Sequence, residues 1–186
     1  MSFTPEQKEA LLQLAWKSIR HGMERHEPLE IDPDDYPPEL REPRCVFVTL
    51  EIEGELRGCM GTLDEWEKPL AANLARIAYV AAFSDPRFPP LRQDELKKVD
   101  LHISALTRPE PMSFSSESDL LSQIRPGVDG LILQDGCHRG TFLPAVWEKL
   151  PDKRDFWTHL KHKAGLPPDH WSDRMKVQRY TAESIP

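Results

Sequence analysis

The alternation of helical and strand-like segments along the chain predicts a protein of the α+β class. Two segments have the pattern of β-hairpins, and segments with helical periodicity stand before, between and after them. No βαβ unit repeats, which argues against a parallel sheet. The chain has 186 residues, enough for a substantial core, so we expect residues 1–186 to form a single domain, with two lobes as the alternative.

The N-terminal segment has the signals of a helix start. Thr4 can cap the helix, Pro5 suits its first turn, and Gln7 completes a capping box. Apolar side chains then recur at helical spacing and predict one buried stripe, made of Leu12, Trp16, Ile19 and Met23. We therefore expect the chain to begin with an amphipathic helix.

Three further segments predict helices. Segment 69–83 is rich in alanine and has few polar residues, so we expect a helix that is buried over most of its circumference. The serine-rich segment 113–124 has cap residues ahead of an apolar run. Another helix is expected to be capped by Asp152 and to end at Gly165, where glycine can terminate it.

The first predicted hairpin joins "CVFVTLEI" to "ELRGCMGTL" through a two-residue turn at Glu53–Gly54. In the simplest register Val48 pairs with Cys59 and Leu50 pairs with Arg57. That register places Cys59 on the more apolar face of the hairpin, and a slip of one residue would reverse the assignment.

A second hairpin is predicted farther along the chain. Its turn is placed at Asp135–Gly136, and its return strand ends at Pro144. Between the hairpins, "VDLHISAL" predicts a strand in which His102 faces the side opposite to Leu101 and Ile103. The closing segment "MKVQRYTAESI" alternates like one more strand.

The composition restricts the classes of function. The formal net charge of −7 argues against binding along a nucleic-acid backbone, which needs a concentrated cationic surface. No apolar run reaches membrane-spanning length, and the N-terminal segment lacks the basic start and apolar stretch of a secretory signal. Three cysteines without close metal-ligand spacing favour a reduced, cytoplasmic setting over a disulfide framework.

Cys137 and His138 are adjacent and invite a metal interpretation. They supply at most two ligands at a predicted hairpin tip, whereas a catalytic zinc site needs three protein ligands and a structural one needs four. Cys45 or His102 would have to arrive from elsewhere in the fold. We therefore expect no metal site.

The stretch "ELRGCMGTL" contains the sharpest candidate for chemistry, Cys59. A reactive cysteine needs a stabilised thiolate, and nearby Arg57 could supply positive charge, while Gly58 and Gly61 let substrate or backbone approach closely. The alternative is that Cys59 is a small buried hydrophobe in a packed strand. His102 could be the base that a nucleophile needs, or a histidine bonded to backbone.

Several segments, taken together, resemble the AMMECR-type domain family. They follow the family's order: "LRGCMGTL", "AAFSDPRFPPL", "ISALT", "GVDGLIL", "GTFLPAVWE", "LKHKAGL" and "KVQRYTAE". The similarity covers nearly the whole chain. It implies an α+β fold in which an antiparallel β-sheet is flanked by α-helices and a smaller lobe forms a cleft. It also implies Memo-like and radical S-adenosylmethionine proteins as partners, as in the AmmeMemoRadiSam system, but it carries no established reaction and leaves any cofactor unknown.

Two family motifs fall on the candidate residues. The motif LRGCIG corresponds to Leu56–Gly61, with Met60 as an apolar exchange that should preserve packing, and the motif DPRFPP corresponds to Asp85–Pro90. The prolines restrict the backbone around the charged side chains, as in a preorganised site loop or a loop that is simply fixed. We expect a cleft lined by Arg57, Gly58, Cys59, Gly61, Thr62, Asp85 and Arg87.

Two hypotheses of function follow from these residues. In the first, the protein is a cytoplasmic enzyme or enzyme component in which Cys59 is a nucleophile or redox thiol, and Arg57 stabilises its charge or binds an anionic substrate. In the second, it is a non-catalytic binding module for a protein partner or a small ligand. Trp66 and Trp171, which lie in predicted loops, would then be candidates for the contact surface.

Overall fold

The computed structural model describes residues 2–186, which form two compact units. The first unit extends to Leu106 and also includes Glu183–Pro186, and the second unit is Thr107–Ala182. Each unit contains a four-stranded sheet with antiparallel strand pairs, and the described chain has five α-helices in all. The α+β class is therefore confirmed, while the assignment of residues 1–186 to one domain stays a prediction.

In the first unit, β1 lies inside the sheet and pairs with one strand on each side. Along the chain its elements are α1 (Pro5–Arg25), a 3-10 turn (Pro33–Asp35), α2 (Pro38–Arg41), β1 (Val46–Ile52), β2 (Glu55–Gly61), α3 (Leu70–Phe83), β3 (Val99–Leu106) and, at the end of the chain, β8 (Ala182–Ile185). The sheet order is β2-β1-β3-β8, so β2 forms one edge of the sheet. One face of this sheet and the helices α1 and α3 enclose the first hydrophobic core.

Helix α1 begins with the predicted capping box, in which Thr4 and Gln7 each bond to the backbone of the other. Its buried stripe differs from the prediction, because it consists of Leu11, Leu14, Ala15, Ser18, Ile19 and Gly22. Leu12, Trp16 and Met23 are only partly buried. The prediction followed the large apolar side chains, whereas α1 turns small residues towards α3 so that the two helices can approach closely.

Helix α3 is buried over most of its circumference, as predicted. Its Asn73 is fully buried and donates side-chain hydrogen bonds to the carbonyl oxygens of Arg44 and Glu65, at 2.9 and 3.0 Å. The helix thereby holds the segments that precede β1 and follow β2. Because most of its other buried side chains are small, it can also pack closely against β1 and β2.

The first hairpin has the predicted turn but an unpredicted β-bulge. Glu53 and Gly54 have φ angles of 54° and 78°, which suits a two-residue hairpin turn. Pairing proceeds as predicted as far as Leu56, but Leu50 then faces Gly58 and leaves Arg57 as an extra residue in β2. A bulge of this kind shifts the register of every residue beyond it.

The shifted register reverses the predicted face of Cys59. Cys59 pairs with Thr49, so the predicted pairs of Val48 with Cys59 and of Leu50 with Arg57 are wrong. Because side chains alternate along a strand, Cys59 shares the face of Thr49 and lies opposite to the buried Val48 and Leu50. The cysteine is half-buried on the sheet face that points away from the apolar core.

The glycines on either side of Cys59 have different neighbours. A Cβ atom on Gly58 would overlap the carbonyl oxygen of Ala81 in α3, which is part of the helix backbone. A Cβ atom on Gly61 would overlap the ring of Phe47. Both glycines therefore serve close packing within the first unit.

The second unit contains the remaining elements. In chain order they are β4 (Glu110–Pro111), α4 (Glu117–Gln123), β5 (Gly130–Asp135), β6 (His138–Phe142), a 3-10 turn (Pro144–Glu148), α5 (Lys153–Lys163) and β7 (Lys176–Tyr180). The sheet order is β4-β7-β5-β6. Asp152 caps α5 and Gly165 follows its end with a φ angle of 81°, as predicted. A stacked pair of rings, Trp147 and Phe156, lies in the core of this unit.

Two expectations for this part of the chain need correction. In the second hairpin Asp135 pairs with His138, so the turn is Gly136–Cys137 and lies one residue later than predicted. The closing segment forms two strands in different sheets, β7 and β8, rather than one strand. An alternating pattern shows that a segment is extended, but it does not show where the segment changes its partner.

We predict that Gly58→Ala destabilises the protein by about 3 kcal/mol, because the added methyl group meets helix backbone that cannot move independently. Gly61→Ala should cost less, since the ring of Phe47 can rotate away. Urea unfolding of both variants measures the difference. Equal losses for the two substitutions would contradict the close approach of β2 to α3.

Candidate functional site

The backbone of Cys59 is held by two side chains from the loop that follows α3. The Cys59 N–H donates to Oδ2 of Asp85 at 2.9 Å, and the Cys59 carbonyl oxygen accepts from Nη2 of Arg87 at 3.0 Å. Both backbone groups therefore point away from β1. Cys59 and its partner Thr49 are therefore a non-hydrogen-bonded pair of the antiparallel sheet. The side chains of such a pair lie closer together than those of a hydrogen-bonded pair.

Asp85 and Arg87 also bind each other. The Arg87 guanidinium donates from Nε to Oδ1 at 3.0 Å and from Nη2 to Oδ2 at 2.7 Å, and the Arg87 N–H donates to Oδ1 at 3.0 Å. The Asp85 side chain is only 2% exposed, whereas that of Arg87 is 54% exposed. The hydrogen bonds from Arg87 hold the pKa of Asp85 well below its usual range, and the Cys59 N–H contributes to this lowering.

Arg57, the bulge residue, makes a second fork-shaped pair with Glu95. Its Nε and Nη2 donate to the two carboxylate oxygens at 2.8 and 2.9 Å. The same guanidinium donates to the carbonyl oxygens of Pro89 at 2.9 Å and Pro90 at 3.3 Å. The hydrogen bonds from Arg57 lower the pKa of Glu95. Arg57 is 13% exposed and its donors bind the proline loop rather than the thiol of Cys59.

These two pairs, Arg57–Glu95 and Asp85–Arg87, are called here the double clamp. The ring of Phe88 lies between them, with its centroid 6.0 Å from Cζ of Arg57 and 5.6 Å from Cζ of Arg87. The same loop is also tied to α3, because the Leu91 N–H donates to the carbonyl oxygen of Ala82 at 2.8 Å. The RGC and DPRFPP segments thus form one bonded assembly at the edge of the sheet.

The thiol of Cys59 accepts a hydrogen bond from the side chain of its strand neighbour. Thr49 Oγ1 lies 3.2 Å from Cys59 Sγ. A hydroxyl donor aimed at sulfur stabilises the thiolate more than the thiol, because hydrogen bonds to a charged group are the stronger ones. Cys59 also lies close enough to Arg87 to raise the pKa of its guanidinium. Asp85 raises that pKa more.

His102 faces the side opposite to Leu101 and Ile103, as the alternation of β3 predicted, and the bulge in β2 brings Cys59 onto that same face. Thr49 pairs with Cys59 on one side and with His102 on the other, which produces a row of three side chains across the sheet. His102 Nε2 is 3.8 Å from Oε2 of Glu51, and the imidazole is 40% exposed. The strand spacing places the Cα atoms of Cys59 and His102 about 10 Å apart.

The structure brings together only some of the predicted site residues. Cys59, Asp85 and Arg87 are joined by direct hydrogen bonds, while Arg57 faces Glu95. Thr62 follows β2 and its hydroxyl accepts from the Asp64 N–H at 3.1 Å in a local turn.

Sequence analysis did not identify Thr49 and Glu95. Thr49 was missed because the expected register placed it on the other face. Glu95 was missed because no local pattern connects it to Arg57.

The other two cysteines differ from Cys59 in their surroundings. Cys45 is fully buried, and burial raises the pKa of its thiol to about 11. Cys137 is exposed at the tip of the second hairpin. Within residues 2–186, no three side chains of histidine, cysteine, aspartate or glutamate are grouped so that they could hold a metal ion. The described helices also include none that is long and apolar enough to cross a membrane.

We predict that Asp85 contributes to the acid sensitivity of the fold. Because its pKa is depressed in the folded protein, its contribution is complete above the unfolded-state value of about 3.9 and is lost as the pH falls towards the folded-state value. The free energy of unfolding should therefore decrease below about pH 4. In Asp85→Asn this decrease should be smaller, and the stability at neutral pH should fall by about 2 kcal/mol.

The matched control for this prediction is Asp94→Asn. Asp94 is 64% exposed, and its carboxylate pairs with Arg92 on the surface of the same loop. Its removal should leave both the stability and its pH dependence nearly unchanged. If Asp85→Asn and Asp94→Asn had the same acid profile, the buried carboxylate would have no special role.

Comparisons with known proteins agree with this architecture. The family model AMMECR1 matches residues 12–185. A protein from Methanothermobacter thermautotrophicus is 41% identical over 188 residues, which cover 98% of this chain and 97% of the relative. A protein from Thermofilum pendens is 38% identical over 190 residues, which cover 96% of this chain and 88% of the relative.

A solved structure shows the same fold. The crystal structure of an uncharacterized protein from Pyrococcus horikoshii superposes with a TM-score of 0.88 at 35% sequence identity. The superposition covers 99% of this chain and 93% of that chain. The family match extends over nearly the whole sequence and the archaeal relatives are similar over most of their length, so the chain belongs to the AMMECR1 family.

Proposed function

We propose that the protein is a cytoplasmic enzyme or enzyme component in which Cys59 acts as a nucleophile or redox thiol. The observation that carries this proposal is the hydroxyl of Thr49, which donates to the sulfur at 3.2 Å on the half-exposed face of the sheet. The double clamp supports it, because rigid supporting bonds preorganise a reactive group. The three free cysteines are consistent with a reducing compartment.

In the nucleophilic version of this proposal, each member of the row has one role. The thiol of Cys59 loses its proton, and its sulfur forms a bond to an electrophilic carbon of the substrate. Thr49 stabilises the thiolate by donating to the sulfur, and His102, which pairs with Thr49 across the sheet, receives the proton through an intervening water molecule. When the bond between that carbon and the leaving group breaks, His102 returns the proton to the leaving group. The base proposed here, His102, is the candidate that the sequence offered, and it lies on the neighbouring strand β3.

The roles of the two arginines are revised in this proposal. Arg57 becomes a positioning residue, because Glu95 and the proline carbonyls engage its guanidinium. Arg87, which is half-exposed beside Cys59, is the better cation for an anionic substrate or for the thiolate. Asp85 holds both Arg87 and the Cys59 backbone. Gly58, Gly61 and Thr62 shape the surrounding strand rather than contact the substrate.

The partners of this activity are proposed from the family alone. Resemblance to the AMMECR-type family supports Memo-like and radical S-adenosylmethionine proteins as the proteins with which this chain acts. The second candidate function, a non-catalytic binding module, is favoured by one observation. Trp171, a predicted contact residue, is half-buried and lines a cavity in the second unit.

The alkylation rate of Cys59 tests whether its thiol is reactive in the folded protein. In a variant with Cys45→Ser and Cys137→Ser, Cys59 should react with iodoacetamide in the folded protein. Adding Thr49→Val should slow the reaction about threefold, because the lost thiolate hydrogen bond outweighs the accompanying gain in intrinsic nucleophilicity. Thr49→Ser, which keeps the hydroxyl, is the matched control and should react at nearly the original rate.

The same experiment can refute the proposal. Reaction of Cys59 only under unfolding conditions would identify it as a packing residue. Equal rates in the Thr49→Val and Thr49→Ser variants would show that the hydroxyl does not support a thiolate.

A further inference from the structure

The second unit contains a cavity of about 340 Å³ that is separate in the chain from the residues of the double clamp. It lies where the segment after β4 meets the loop before β7. The residues that line it are two aromatics, two methionines, three serines and one aspartate: Met112, Ser113, Phe114, Ser115, Trp171, Ser172, Asp173 and Met175. The volume is within the range of small-molecule sites.

Two aromatic rings form a corner of this cavity. The centroids of Phe114 and Trp171 are 5.6 Å apart, and their planes are inclined by 62°. Both rings pack at the margin of the second core and are half-buried, so part of each remains available at the cavity. The electron-rich faces of aromatic rings attract cations, and tryptophan does so most strongly.

The charge of the cavity complements a cation. Asp173 is the charged residue in its lining, and no ion pair or hydrogen bond joins that carboxylate to another of the described side chains. The serine hydroxyls add oxygen atoms but no positive charge. Two aromatic residues, two methionines and one exposed carboxylate therefore line the cavity, a combination that suits a cation with apolar substituents.

The neighbouring surface restricts where such a cation would bind. An adjoining cavity of about 510 Å³ shares Asp173 and Met175 with the first one, but it also contains Arg174 and Lys176. Nη2 of Arg174 is 3.8 Å from the buried carboxylate of Asp135, which draws this cation towards the hairpin. Like charges disfavour an ammonium group in the adjoining cavity, so the aromatic corner is the better position.

We propose that the cavity at Phe114 and Trp171 binds the alkylated ammonium group of a small molecule, with Asp173 as its counter-charge. An alkylated ammonium fits because its methyl groups contact the rings and thioethers while its charge faces the carboxylate. A neutral apolar group would gain no attraction from Asp173, and an anion would be repelled by it. The proposal is independent of the chemistry of Cys59.

Titration with choline tests the site, with the neutral carbon isostere of choline as the comparison probe. Binding is followed by the NMR shift of the Trp171 indole N–H, assigned by its absence in Trp171→Phe. Choline should shift this resonance in a saturable way, and the isostere should not. Asp173→Asn should weaken choline binding about fivefold, and Trp171→Leu, which keeps apolar bulk but loses the aromatic face, should weaken it by a similar factor.

The matched control is Asp169→Asn, because Asp169 is an exposed carboxylate nearby in the chain that does not line the cavity. It should bind choline as the unmodified protein does. Equal binding of choline and its isostere would overturn the proposal, since it would show a merely apolar pocket. Absence of a saturable shift, or unchanged affinity in Asp173→Asn, would overturn it as well. The conservative Asp173→Asn variant keeps the test decisive if Trp171→Leu does not fold.

Discussion

The candidate site depends on a buried carboxylate that replaces a missing strand. β2 is the edge of its sheet, and at Cys59 its N–H and carbonyl groups point outward. Unpaired groups of this kind invite other chains to pair with the edge. Asp85 accepts from the N–H and Arg87 donates to the carbonyl, so one ion pair provides both bonds that a neighbouring strand would provide. The edge is closed at this residue, and the backbone of Cys59 is fixed.

This arrangement explains why two motifs that are distant in sequence are found together in the fold. Asp85 and Arg87 bind the backbone of Cys59. Arg57, from the same strand as Cys59, holds the proline loop by binding Glu95 and the proline carbonyls. The bulge at Arg57 is the geometric consequence, and it places Cys59 beside Thr49 rather than in the core. The proposed thiol chemistry rests on that placement, because the hydroxyl of Thr49 reaches the sulfur only in this register.

The sequence was informative where structure depends on local chemistry. The capping box at Thr4, the cap at Asp152 and the turn at Glu53–Gly54 were all predictable, because each depends on a few adjacent residues. The bulge was not predictable, because the residue that holds Arg57 is Glu95, 38 positions away. Cys59 could be singled out from its sequence context, but its face and its hydroxyl donor followed from that long-range contact.

Amide hydrogen exchange of Cys59 is the most direct test of the central claim, which is that Asp85 fixes this residue at the sheet edge. The account predicts slow exchange of the Cys59 N–H in the unmodified protein, although no strand pairs with that side of β2. It predicts much faster exchange in Asp85→Ala, which leaves no side-chain acceptor for this N–H, with the amides of β1 still protected. Rapid exchange in the unmodified protein, or equal protection in both proteins, would contradict the account.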